Sequence, residues 1–219
     1  MNSFDYWKKC WDDVVDHGKV SCFQSALSLK NEINEIDELY ELTKNFVKDA
    51  MDVWFPAAVK PRNILIVNDL TDANGTTTGG STIPFKGSET MKIREYSDIK
   101  LNRSVVGHSP FVLFYTLGHE LIHVSQWNAM AGEEMPKDNL VKADLYWIMD
   151  YFAYQFEYDL KQKQYIPDEE ETAKFSILND KYASWILKLD WKNFPWTAWQ
   201  VGENNNSAYP QSTRYKYPL

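Results

Sequence analysis

No run of about 18 apolar residues, the length a membrane-spanning helix needs, occurs in this 219-residue chain. Its start, MNSFDYWKKCWDDVV, is amphipathic and lacks the apolar core of a signal peptide. The expectation is a soluble chain with no membrane partner, although a domain of a larger exported protein could begin this way. Cysteine is equally scarce. Cys10 and Cys22 are the only two, without C-x-x-C spacing, so a disulfide scaffold is excluded and their pairing is left open. Clustered Lys and Arg are also missing, and 23 basic against 31 acidic residues give a net charge of -8. A surface of that sign argues against nucleic acid as a partner and mildly favours basic substrates.

What the chain does have is 44% hydrophobic and 15% aromatic residues, enough to build a packed core in one domain. No repeat or low-complexity linker divides it. The expected organisation is a single domain, 1–219, with a helical N-terminal part (1–58), a core carrying the chemistry (60–165), and a C-terminal helix with an aromatic-rich tail (166–219).

Periodicity places the elements. Residues 4–16 and 24–54 predict helices, the second through Leu27, Leu29, Ile33, Ile36, Leu39, Leu42, Phe46 and Val47. RNILIVN (62–68), STIPF (81–85) and TMKIREYS (90–97) predict strands, with turns at Asn74-Gly75 and Gly79-Gly80 between the first two. Ser109-Pro110 opens an apolar helix that reaches about residue 131. Further helices are expected over 139–163 and 169–188. The acidic run Asp168 to Glu171 reads as the first turn of the latter, favoured by the helix dipole. The fold class is α+β, mainly helical with a small mixed sheet.

Within the apolar helix stands TLGHELIHVSQW (116–127). Residues four apart share a helix face, so His119 and His123 can offer two imidazole nitrogens to one tetrahedral zinc. Glu120, beside them, can take a proton from the metal-activated water and pass it to the leaving amine. Chance is a weak rival: at average residue frequencies an H-E-x-x-H string arises in well under ~1 in 50 chains of this length. Without a metal, such a trio on so apolar a helix would need other partners for its polar atoms.

HELIHVSQW followed by DYFAYQFE resembles the H-E-x-x-H zinc metallopeptidases of the zincin clan, specifically the gluzincin-like and minigluzincin-like peptidases, over roughly residues 60–160. That resemblance implies a small sheet above an active-site helix and a following helix that supplies the third ligand in an E-x-x-A-Y pattern. Asp150 stands where the pattern has its ligand Glu, a departure that shortens the donor by one methylene, and Ala153 leaves room for a closer approach. Glu157 is an alternative ligand, but at about 10 Å of helical rise from Asp150 it cannot share one ion with it. Asp144, a histidine elsewhere, or no third protein ligand also stay open. Tyr154 could donate its hydroxyl to the substrate carbonyl or a metal ligand. His108 and His17 are left over, without a partner signal.

The expected function is zinc-dependent hydrolysis of a peptide or protein substrate, the peptide pairing with an edge strand at 90–97 or in STIPF. The alternatives are the same chemistry in a toxin or effector domain, and a catalytically silent module in which the metal only clamps two helices. Retention of Glu120 speaks against the last. Cleavage specificity and oligomeric state have no signature in the sequence.

Overall fold

A computed structural model of the chain describes residues 44–45, 47–48, 50–52, 55, 58–67, 70–71, 80–86, 92–103, 105, 110–160 and 166–193. The helix expected over 4–16, most of that over 24–54, Cys10, Cys22, His17, His108, the turn at Asn74-Gly75 and the tail beyond residue 193 lie outside them. Within them the fold is a mixed α+β arrangement. Residues 44–45, 47–48 and 50–52 are helical and bury Val47, Ala50 and Met51. Then come β1 (Asn63–Val67), β2 (Gly80–Lys86), β3 (Ile93–Asn102), α1 (Pro110–Ala129), α2 (Asn139–Leu160), α3 (Glu169–Lys181), α4 (Ala183–Leu189) and a short 3-10 turn, Trp191–Asn193.

The three strands order as β1-β3-β2, with β1 parallel and β2 antiparallel to β3. β3 is therefore central, and β2 is an edge among the described residues. The 90–97 segment is thus not the edge it was expected to offer. Its start is also held elsewhere, because Ile93 exchanges backbone hydrogen bonds with Gly132 and Glu133. β3 continues five residues past Ser97, since Ser97, Ile99 and Leu101 keep the buried face of a period-two pattern while Asp98 and Lys100 are only half-buried. Tyr96 falls on the other face and is exposed.

α1 packs against β3 and β2 and also against α2 and α4. Its Leu113, Phe114, Leu117, Leu121, Ile122, Val124 and Trp127 join Ile64, Ile93, Ile99 and Leu101 of the sheet in one buried cluster, which also takes in Phe156, Ile186, Leu189 and Trp191. Gly118 is what lets α2 come so close. A Cβ there would lie 2.9 Å from the Phe156 ring and 3.0 Å from that of Phe55.

α2 is capped by Asp138, whose carboxylate accepts from the Leu140 and Val141 N–H groups. The acidic run forms a capping box at the start of α3: Asp168 accepts from the Glu171 N–H, and Glu171 accepts from that of Asp168. The helix expected over 169–188 breaks at Tyr182, where φ is -129° and ψ 37°. Neither Gly nor Pro marks the spot. The Tyr182 hydroxyl donates to Asp144 of α2 at 3.0 Å, and its ring stacks on Trp185 at 4.6 Å, so tertiary anchoring redirects the chain. No helix among the described residues is long and apolar enough to cross a membrane.

Candidate metal centre

α1 presents His119 and His123 on the face turned to α2, and α2 brings Asp150 to meet them. One donor atom from each of the three lies within 4.8 Å of the others. The Nε2 atoms of the two histidines are 3.1 Å apart. Asp150 Oδ1 lies 3.1 Å from His123 Nε2 and 3.8 Å from His119 Nε2. Four ligands at about 2.0–2.1 Å from a tetrahedral ion stand about 3.3–3.4 Å from one another, so the three separations bracket what a zinc site needs.

The opposite nitrogen of each ring is fixed. His119 Nδ1 lies 2.7 Å from Glu157 Oε1, and His123 Nδ1 lies 2.8 Å from Gln126 Oε1. The Gln126 amide cannot turn round, because its Nε2 donates to the carbonyls of Met149 and Leu189, at 3.1 and 3.0 Å. Its oxygen must therefore face the imidazole as an acceptor. Glu157 is likewise an acceptor, so both Nδ1 atoms carry hydrogen and each Nε2 atom presents a lone pair whenever its ring is neutral. Two lone pairs and a carboxylate oxygen then converge on one point, an arrangement that a cation or a proton would relieve.

The electrostatics carry the same preference. Burial alone would lower the pKa of His119, but hydrogen bonds to Asp150 and Glu157 and the charge of Glu120 outweigh it and raise it from 6.5 to about 10. For Asp150, burial pushes upward, yet its bonds to His119 and His123 hold the carboxyl well below the usual carboxylate range. Asp150 itself is half-exposed, so the centre opens to solvent on its α2 side.

The other expected residues sort themselves by position. Glu120, beside His119 on α1, reaches to β2 of the sheet. It is 4% exposed and accepts a hydrogen bond of 2.6 Å from Thr82 Oγ1. Its carboxylate lies against Gly80, where a Cβ would come within 2.5 Å of Oε1. Glu157 occupies the far nitrogen of His119 rather than the convergence point. Asp144 is taken up by Lys181 and Tyr182 and does not reach the histidines. Tyr154, half-exposed, sets its ring edge-on to His119 with centroids 5.1 Å apart, at the rim of the centre.

Compared with known proteins, the chain matches no family model, no curated protein and no solved structure. The site must be read from its own residues. Three of these had escaped the sequence reading: Gln126, Gly80 and Thr82. For Gln126 a signal existed, since an amide three residues after His123 shares its helix face. Gly80 and Thr82 gave none, because their relation to Glu120 depends on how β2 docks on α1.

Proposed function

We propose that this chain is a zinc-dependent peptidase of the H-E-x-x-H type it resembles, with His119, His123 and Asp150 as metal ligands and Glu120 as general base. The observation that carries the reading is the convergence of three acceptor atoms, each imidazole held from behind by a side-chain oxygen. Such carboxylate-histidine and amide-histidine pairs fix ring orientation and tautomer in metal sites. Three protein ligands leave a fourth position for water, as catalytic rather than structural zinc sites do. Bound zinc would supply Lewis acidity, lowering the pKa of a water toward neutrality and polarising the scissile carbonyl.

The chain's own groups do the rest. Glu120 binds no metal in this scheme; it takes a proton from the attacking water and delivers it to the leaving amine. Tyr154, at the exposed rim, would donate to the substrate carbonyl oxygen as charge develops there. An extended substrate pairs with β2. Ser97 O accepts from Arg62 N, so the odd-numbered backbone groups of β3 turn toward β1, and Asp98 and Lys100 turn toward Ile83 and Ser81 of β2. Thr82 and Pro84 therefore direct their backbone groups away from β3. Pro84, with no N–H, sits where a missing donor costs the sheet nothing.

Purified protein should hold about one zinc per chain and cleave casein or a peptide library in a chelator-sensitive way. Glu120→Gln should keep the metal and lose activity by roughly 10²- to 10⁴-fold, since it removes a base and no ligand. A metal-free protein, or full activity in that variant, would end the proposal. A silent metal-stabilised module would keep its zinc and show no cleavage even before mutation.

A further inference from the structure

We infer that Thr82 and Gly80 of β2 are positioning residues for Glu120, so that the strand expected to hold the substrate also aims the general base. The inference rests on the peptidase reading above. Three observations carry it. The Thr82 hydroxyl lies 2.6 Å from Glu120 Oε2 and 3.1 Å from the Glu120 backbone carbonyl, across 38 residues of sequence, and its single proton goes to the nearer, charged acceptor. At Gly80 the absent side chain makes a cradle: a Cβ would sit 2.5 Å from Oε1, 2.7 Å from Cγ and 2.9 Å from Cδ of Glu120. Finally, Glu120 is buried, so its carboxylate has little room for other rotamers.

A Glu side chain has three rotatable bonds, and as a base it must meet a water whose place is set by the histidines and Asp150. Proton transfer needs heavy atoms within about 2.6–3.2 Å, so a carboxylate left to wander is correct only part of the time. The hydroxyl fixes one oxygen and the glycine gives the other its space. Since the Thr82 hydroxyl and a methyl at residue 80 would face Glu120 and not the substrate, altering these side chains should leave ground-state binding alone. The effect therefore belongs in kcat and not in KM.

The test uses the full chain, zinc-loaded. Thr82→Val removes the hydroxyl at nearly constant volume, Thr82→Ser restores it, and Gly80→Ala fills the cradle, displacing the flexible end of Glu120 rather than the strand. Thr82→Val and Gly80→Ala should each retain the metal and lower kcat roughly ten- to hundredfold, as loss of a supporting hydrogen bond does around metal sites. KM should stay within about twofold, and Thr82→Ser should recover most of the rate. Wild-type kcat in Thr82→Val, or equal losses in Val and Ser, would overturn the inference. Crystal structures of the two impaired variants supply a readout that needs no activity. The Glu120 carboxylate should have left its position against residue 80, and finding it unmoved in both would also overturn the inference. A wild-type protein that binds zinc but cleaves nothing refutes the peptidase reading alone, and the crystal structures then decide the positioning separately.

Discussion

His119 and His123 are held at the nitrogen that faces away from the proposed metal position, and their holders are not equivalent. Glu157 is a carboxylate reaching across from α2, whereas Gln126 is a neighbour on α1 locked by two carbonyls. Asp150, as ligand, should matter most to the metal: Asp150→Ala should weaken zinc binding by at least an order of magnitude, while Asp150→Glu keeps a displaced donor and part of the affinity. Glu157→Ala should cost roughly ten- to hundredfold and Glu157→Gln less, because the amide oxygen can still accept from Nδ1. Chelator competition on the four variants ranks them, and metal loss that is greater in Glu157→Ala than in Asp150→Ala would exchange the two roles. Gln126→Leu should destabilise the fold by about 1–3 kcal/mol as well, since the Met149 and Leu189 carbonyls lose their buried donor. The pair at 119 and 123 was legible in the sequence because an i, i+4 relation is local and survives any tertiary arrangement. What Glu157 does was not legible, as it depends on how α2 crosses α1.

α1 and α2 meet through Gly118, and that contact sets the distance from which Asp150 faces the two histidines. Replacing Gly118 by Ala improves helix propensity by up to about 1 kcal/mol, but the new methyl meets the Phe156 and Phe55 rings at 2.9 and 3.0 Å. Both rings are fully buried, and Phe55 stacks on Phe114 at 4.7 Å, so neither can yield cheaply. Overpacking of this kind costs about 1–3 kcal/mol, and the clash should win. Gly118→Ala is expected to lower the thermal midpoint of the metal-free protein and to weaken zinc binding, through separation of the helices. A rise in midpoint with unchanged affinity would show that the rings give way. The same dependence on docking explains which elements could be read in advance. β1, α1, α2 and the capping box of α3 follow from local pattern and local hydrogen bonds. The extra residues of β3 were hidden by Ser97 and Asp98, which look turn-forming until the sheet pairs them on both sides. The break at Tyr182 follows from its hydroxyl bond to Asp144, a partner 38 residues away. β2 was recognisable as a strand, but its edge position, and so its hold on Glu120, came only from the strand order.

At the scale of the fold, a metal bound at the proposed centre would couple to protons and to stability. Without metal, Asp150 and Glu157 keep His119 protonated up to about 10, above its ordinary 6.5, while Asp150 is held below its ordinary 3.8. The raised histidine stabilises the fold fully below pH 6.5, and this contribution is lost as pH climbs toward 10. The lowered carboxyl stabilises it above pH 3.8 and loses its effect as pH falls further. The metal-free protein should therefore be most stable, as far as these groups decide, between about pH 4 and 6.5. Zinc bound as proposed would reverse the upper limb, because it would take the place of the His119 proton and expel it. Binding at neutral pH should release about one proton, and affinity should rise about tenfold per pH unit over the range where His119 is still protonated. The thermal shift caused by zinc should accordingly widen from pH 6.5 to 8.5, because the metal-free midpoint falls while the zinc-bound one does not, which is the gain in binding energy seen from the folding side. Calorimetry in buffers of differing ionisation enthalpy counts the proton directly. A zinc affinity flat across that range would mean that His119 is already neutral in the metal-free protein, and that Asp150 and Glu157 do not hold its charge.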